Sequence, residues 1–186
     1  MRPRYNEKKT TQAAAKFLKL AGDSMEYLKL QKLLYMLDRE ALNRWGRSIS
    51  NDEYFSMKLG PVLSETLDLI NGSEGDDTYW SKHISAPMSY KVGLLADPGT
   101  ADLSQAEETL IVEIHERYKG MNGFNVAEIL HQTLPEWARV TSGRVPITHE
   151  SIFKALNKPQ AEIDAINAEL ENLAIVDGYF MAGDAC

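Results

Sequence analysis

The sequence has almost no cysteine, since Cys186 is its single one among 186 residues. One thiol forms no disulfide within the chain and supplies too few ligands for a Cys-ligated zinc site. We therefore expect neither a secreted disulfide scaffold nor such a zinc site, and a reducing compartment fits the composition.

Long apolar runs are missing too. No window approaches the roughly 18 consecutive apolar residues that a membrane-spanning helix needs. The N-terminus, Met1-Arg2-Pro3-Arg4-Tyr5, leads into no apolar signal-peptide run. We expect a cytoplasmic protein without a membrane partner.

The sequence also lacks the short motifs of common catalytic and phosphate-binding sites. It contains no HExxH, no GxSxG, no GxxxxGKS/T and no GxGxxG. His115 and His131 fall on predicted helices near Glu113, Glu116 and Glu128, so a metal-dependent enzyme using these side chains stays an alternative. We favour structural roles for the histidines and expect no catalytic residue, no cofactor and no metal.

Charge is unevenly distributed along the chain. Residues 1–60 hold 12 Lys and Arg against 7 Asp and Glu, residues 61–186 hold 8 against 20, and the formal net charge is −7. An acidic chain repels a phosphate backbone at long range, so we expect no nucleic-acid partner. The early basic residues predict a solvated face of a first helix: Arg2, Arg4, Lys8, Lys9, Lys16 and Lys19.

What is present predicts one folded domain. At 44% hydrophobic and 25% charged residues, the composition is that of an average soluble domain. A chain of this length can bury roughly 70% of its extended surface in one core. Helical and strand periodicities together predict a mainly α protein: a single compact domain of about six to seven helices with a small antiparallel β-element.

The first half of the sequence contains recognisable signals for where helices begin and end. A first helix opens at Thr10 or Thr11, and a second opens with Asp23 and Glu26 as a capping pair and ends at Gly46. The second helix carries the strongest apolar stripe: Leu30, Leu33, Leu34, Leu37, Ala41 and Trp45.

Extended structure is predicted after the second helix. Residues 54–59 alternate as in a half-buried strand, and Pro61 suits the first turn of a helix. Residues 73–82 look like a loop, and residues 83–95 predict one or two edge strands that pair with residues 53–59.

Helices return in the second half of the chain. Ser104 and Glu107 form a capping box, a helix begins at Asn125, and Pro159 opens a last amphipathic helix. We divide the chain into a basic lead (1–9), the main domain (10–157), a C-terminal helix packed on it (158–175) and a tail (176–186).

Several segments together resemble a known family. Residues 28–37 (LKLQKLLYML), Gly46-Arg47-Ser48-Ile49, Asp52-Glu53-Tyr54 and Gly60-Pro61-Val62 are similar in type and spacing to the Panacea, or SocA-like antitoxin, domain. Asp102-Leu103-Ser104 with Glu107, and His131 with Leu134-Pro135-Glu136-Trp137, extend the resemblance over roughly residues 10–157.

The resemblance implies a bacterial or prophage antitoxin that neutralises a toxin by direct protein-protein binding. One branch of that family instead acts as an adaptor that delivers its toxin to an AAA+ protease, which is a second alternative here. The family pairs one domain with toxins of unrelated folds, so the resemblance implies a cognate toxin partner without naming it.

Helical geometry suggests which residues would meet such a toxin. We expect structural roles for Leu33, Leu37 and Trp45 in the core, for Gly46, Gly60 and Pro61 at turns, and for Trp137. The toxin-binding candidates are residues placed by the helical period outside the buried stripe, or at the surface near Gly60: Lys29, Lys32, Met36, Arg39, Tyr54 and Lys58.

Overall fold

A computed structural model of the chain describes residues 3–183, and their side chains as far as Ile175. Within that part there are eight helices: α1 (Glu7–Leu20), α2 (Tyr27–Trp45), α3 (Ser64–Asn71), α4 (Tyr79–His83), α5 (Gln105–Arg117), α6 (Gly123–Thr133), α7 (His149–Ala155) and α8 (Gln160–Gly183). The predictions for Arg2 and Cys186 lie outside the described residues.

Two small antiparallel sheets complete the fold. In one, β1 (Ser24–Glu26) pairs with β4 (Lys91–Gly93). In the other, β2 (Tyr54–Met57) lies between β3 (Gly60–Leu63) and β5 (Val145–Ile147). The predicted mainly α domain with a small antiparallel β-element is confirmed.

Helix α2 is the centre of the molecule. Every residue from Leu30 to Asp38 is buried, because α1, α5, α6, α7 and β3 all pack around the helix. The helix ends at Gly46, whose φ of 69° is in the left-handed region. A Cβ at this glycine would lie 3.0 Å from Ile166 of α8, so the end of α2 is also closely covered.

The strands differ from the prediction in their pairing. β4 pairs with β1 and not with residues 53–59, and β2 pairs with β3 and β5 instead. Pro61 lies within β3, and the following helix begins three residues later at Ser64. The alternation within a short strand shows which side chains face the core but not which strand it pairs with, so the partners are set by packing in three dimensions.

The N-termini of two helices also differ from expectation. Glu26 makes no side-chain cap on α2 but accepts a 2.5 Å hydrogen bond from the backbone N–H of Gly123 at the start of α6. α4 forms inside the segment predicted as a loop, where Thr78 and Ser81 make a capping box. The capping box predicted at Ser104 and Glu107 is present at the start of α5.

A seam of ion pairs joins α1 to residues 97–108. Its pairs are Lys8–Asp102 at 3.0 Å, Lys9–Glu107 at 2.7 Å, Lys16–Glu108 at 2.6 Å and Lys19–Asp97 at 2.5 Å. The basic face of the first helix, expected to be solvated, therefore also meets acidic residues of the second half. Part of the charge asymmetry of the sequence is thus neutralised by ion pairs within the molecule.

Helix α8 contacts the rest of the molecule through an apolar stripe. Ile163, Leu170 and Ala174 are buried, and Ile166 lies against Gly46. The helical backbone continues to Gly183, eight residues beyond the predicted end of the helix at residue 175. Over the described residues, no helix combines the length and apolarity needed to cross a bilayer.

Candidate interaction surfaces

The segment Leu134-Pro135-Glu136-Trp137 packs against α2 and is joined to it by hydrogen bonds. The Glu136 side chain is fully buried, and it accepts hydrogen bonds from the Tyr35 hydroxyl at 3.0 Å and from Arg39 Nε at 2.6 Å. Charge-assisted bonds of this kind hold their partners firmly when water is excluded. Glu136 and Arg39 therefore form part of the scaffold.

Trp137 connects the same segment to the β2–β3 hairpin. Its indole N–H donates to the Met57 carbonyl at 3.2 Å, and its ring stacks on His131 with centroids 4.0 Å apart. The next residue donates its backbone N–H to Ser56 Oγ at 3.0 Å. The four-residue motif thus joins α2, α6 and β2 at one point.

Lys32 lies beside this junction and is fully buried. Its Nζ donates a 2.7 Å hydrogen bond to the Pro61 carbonyl, and burial lowers the pKa of Lys32 to about 7. Gly60 makes room for it with a φ of 98°, since a Cβ there would lie 3.2 Å from Lys32 Cε and 3.4 Å from His131 Nε2. Burial also lowers the pKa of His131.

The exposure expected for three toxin-binding candidates is wrong. Lys32, Met36 and Tyr54 are exposed by only 0%, 4% and 3%. The face of α2 opposite the apolar stripe is covered by β3 and α6 instead of water. These three side chains are therefore covered by other parts of the molecule.

The other three candidates differ among themselves. Arg39 is engaged with Glu136, and Lys29 donates to the Met121 carbonyl at 2.7 Å. Lys58 is exposed at the turn of the β2–β3 hairpin, as expected. Among the structural candidates, Leu33 and Leu37 are in the core, whereas Trp45 and Trp137 are only partly buried against it.

Asp38 shapes the loop that follows α2. Its carboxylate accepts hydrogen bonds from the backbone N–H groups of Ile49 and Ser50 at 2.8 and 3.1 Å, and from the Tyr54 hydroxyl at 3.0 Å. Ser50 Oγ donates to it as well. This buried carboxylate fixes the path of the chain into β2, and burial raises its pKa against the effect of these donors.

A groove of about 510 Å³ opens beside that loop. We call it the β2–α7 groove, and it is lined by Pro3, Arg4, Tyr5, Asn51, Asp52, Glu53, Tyr54, Phe55, Glu65, Pro146, Ile147, Thr148 and His149. Among the described residues, its lining includes four aromatic rings, three carboxylates and the guanidinium of Arg4. Tyr54 and His149 stack with centroids 5.7 Å apart.

Negative charge accumulates at one wall of the groove. Asp52 Oδ1 and Oδ2 each accept a backbone N–H at 2.9 Å, from Glu65 and Thr66, and so cap α3. Burial raises the pKa of Asp52 to about 6. The pKa of Glu65 is raised by burial and then by its like-charged neighbours Asp52, Asp68, Glu74 and Glu53.

A second exposed feature is the turn between residues 88 and 91, which we call the hairpin tip. Met88 and Lys91 exchange backbone hydrogen bonds at 2.8 and 3.0 Å, and Ser89 and Tyr90 both have positive φ, at 50° and 65°. That is the type I′ conformation, which favours Asn and Gly. Ser89 and Tyr90 occupy these two positions instead, and the side chains of Met88 and Tyr90 are exposed by 80% and 77%.

The tip and the groove lie towards opposite ends of α2. The Tyr90 carbonyl accepts a hydrogen bond from the backbone N–H of Tyr27, the first residue of α2. The groove lies beside the loop that follows α2, which Asp38 holds in place through its hydrogen bonds. Sequence reasoning missed both features. Ser89-Tyr90 has no turn signature, and the groove joins four segments that are distant along the chain.

The histidines show no metal-binding arrangement. In the described part of the chain, no group of three His, Cys, Asp or Glu side chains is placed to hold a metal ion. His115 is buried with its Nδ1 3.4 Å from Glu116, whereas His131 stacks on Trp137.

The described residues form a mainly helical domain with two small antiparallel sheets. The family model described as "Antitoxin SocA-like, Panacea domain" matches residues 30–138, and the chain belongs to that family. The match runs from the first turn of α2 to the residue after Trp137, a shorter span than residues 10–157. Comparison with curated proteins and with solved structures gives no match for this chain.

Proposed function

We propose that this chain is the antitoxin of a bacterial or prophage toxin-antitoxin system and neutralises its toxin by binding it directly. The observation that carries the proposal is the family match over residues 30–138, since the family is one of typically non-enzymatic antitoxins. A cognate toxin is then the partner that the chain requires.

The position of the family motifs supports this function. Residues of the family motifs contact one another's segments inside the molecule and build the scaffold. They are Lys32, Tyr35, Gly60, Glu136 and Trp137. Such a domain can keep one scaffold while its surface residues differ from member to member. This suits a family that binds toxins of different folds, because the choice of partner then depends on the exposed side chains.

Exposed apolar and charged side chains are available for that contact. The hairpin tip presents Met88 and Tyr90, and Lys58 stands at the other hairpin turn. Large exposed apolar side chains are typical of protein-protein contacts, where Tyr and Met are enriched. Lys58 is therefore the member of the original six candidates that we keep in the proposed interface.

Co-expression tests the proposal. We expect the product of the adjacent gene to arrest growth, and this chain to restore growth and co-purify with that product as a stable complex. Rescue that requires an AAA+ protease, with the toxin protein lost only in cells that contain that protease, would favour the adaptor alternative. Absence of both rescue and complex would contradict the proposed function.

A further inference from the structure

We propose that the toxin binds at the N-terminal end of α2, on Met88, Tyr90 and Phe124, with an apolar surface that has an acidic residue at its edge. We call these three residues the α2-end patch. The inference rests on the proposed function, because it assigns the contact within the same complex. It follows from the position of the exposed apolar side chains, the backbone of the hairpin tip and the charge beside it.

The most exposed large apolar side chains of the described residues are concentrated at one end of α2. Four of them are exposed by 63% or more, and they are Met88, Tyr90, Leu95 and Phe124. Three of these four form the α2-end patch, whereas Leu95 lies beyond the end of β4. Single apolar side chains are ordinary on a protein surface, but a group of them marks a contact site.

Two distant segments of the chain meet at the first turn of α2. The Tyr90 carbonyl accepts a hydrogen bond from the first backbone N–H of the helix at 3.0 Å. Gly123, which precedes Phe124, donates its N–H to the Glu26 carboxylate, and a Cβ on this glycine would lie 3.2 Å from the Cβ of Leu28. The hairpin tip and the start of α6 therefore flank the same helical turn.

The hairpin tip holds its aromatic side chain in a costly backbone conformation. Ser89 and Tyr90 are both left-handed, a conformation that Gly and Asn adopt more easily. Burial does not compensate for this cost, because the Tyr90 side chain is exposed. Strained residues of this kind are typical of binding sites. The backbone bonds between Met88 and Lys91 fix the turn before a partner arrives, which lowers the entropy lost on binding.

The charge beside the patch indicates the edge of its partner. Residues 84–95 contain Lys91 and no carboxylate, and among the described residues Lys91 is exposed without an ion-pair partner. Carboxylates of the neighbouring segments are engaged, since Glu26 accepts the N–H at the start of α6 and Glu128 accepts from Gln132 at 2.8 Å. An acidic residue at the edge of the toxin surface would complement Lys91.

Removal of two exposed rings is the direct experiment. The hydrogen bonds that hold Tyr90 and Gly123 use their backbone atoms, so Tyr90→Ser with Phe124→Ser leaves these bonds in place. The matched control is Val112→Ser, which removes an exposed apolar side chain from α5. The probe is the purified product of the adjacent gene. We expect about 30-fold weaker binding or more for the double variant, and parental affinity for the control.

A second variant separates a binding role of Tyr90 from a structural one. Ser89→Asn with Tyr90→Gly gives the turn the residues that its conformation favours. Its urea midpoint should therefore be at or above the parental one, while its affinity for the toxin falls. A lower midpoint together with parental affinity would show that Tyr90 serves the fold and would overturn the proposal.

Lys91→Glu tests the acidic edge of the partner. It should weaken binding by a smaller factor than the double variant, and this factor should shrink at high salt. Parental affinity of Lys91→Glu at low salt would overturn the assignment of an acidic edge.

Further results separate this inference from the function on which it rests. Parental affinity of Tyr90→Ser with Phe124→Ser overturns the α2-end patch and leaves the function standing. The patch is likewise overturned if the chain alone forms a dimer that this double variant abolishes while its toxin affinity stays parental, since a second copy is then the occupant. If the parental chain neither binds nor neutralises the toxin, both proposals fail.

Discussion

At the scale of single residues, several polar side chains of α2 serve folding. Lys32, Asp38 and Arg39 each bond to a distant segment and hold it in place. Charge reversal at Lys32 or Arg39 would therefore disturb the fold, and its effect on toxin binding would not locate the interface. Helical period alone predicted Lys32 and Arg39 outside the core, because it does not reveal how many elements pack around a helix.

Lys32 should make stability depend on pH. Its pKa falls from 10.5 to about 7 in the folded protein, so between these values the unfolded chain binds a proton that the folded chain lacks. The free energy of unfolding should then rise from pH 7 to pH 9.5, by up to about 1.4 kcal/mol per pH unit from this group. Below pH 7 both states are protonated, and this dependence ends.

The comparison with Lys32→Met isolates that contribution. Urea unfolding at several pH values should give a flatter dependence for the variant between pH 7 and 9.5. The window stops short of the tyrosine range, where the raised pKa values of Tyr5, Tyr35 and Tyr54 act in the opposite direction. A variant that keeps the full parental slope would show that Lys32 is protonated in the folded protein.

Glu136 should be far more important for stability than a surface carboxylate in a similar pair. Glu136→Ala leaves Arg39 without its buried partner and the Tyr35 hydroxyl without its acceptor, which should cost about 3–5 kcal/mol. Glu113→Ala is the control, because Glu113 pairs with Arg44 at 2.6 Å on the surface. Equal urea midpoints for the two variants would contradict the assigned role of Glu136.

At the scale of elements, sequence predicted best where the signal was local. The stop of α2 at Gly46 and the capping box at Ser104 were placed correctly, since both depend on neighbouring residues. The β3 strand was missed because Pro61 was interpreted as the start of a helix, although β3 follows β2 after a two-residue turn. The β1–β4 pair was missed because its two strands are distant along the chain. The groove was missed for the same reason.

The ion-paired seam between α1 and residues 97–108 gives a prediction about elements. Glu108→Lys sets like charges together with Lys16 and should lower the unfolding midpoint slightly, whereas the swap with Lys16→Glu should restore it. The coupling expected for such a partly exposed pair is about 0.2–1 kcal/mol, and it should shrink at high salt.

A double-mutant cycle on the two single variants and the swap measures this coupling. Purely additive effects would mean that the seam contributes nothing beyond the separate residues. The same swap at Lys8 and Asp102, a more exposed pair, should couple more weakly.

At the scale of the whole molecule, the family motifs and the exposed surfaces have separate roles. The motif residues converge where α2, α6, β2 and β3 meet, and they were recognisable from sequence by type and spacing. The β2–α7 groove and the hairpin tip lie away from that junction. Sequence could indicate that a protein partner exists, but only the folded arrangement brings Tyr5, Glu65 and His149 into one groove.

Direct neutralisation of the toxin is the central claim, and a titration of purified components tests it most directly. The toxin's own activity is measured with increasing amounts of this chain in the absence of any protease. We predict that activity falls to background when the toxin is saturated with the chain. A toxin that keeps its full activity while demonstrably saturated would contradict neutralisation by binding.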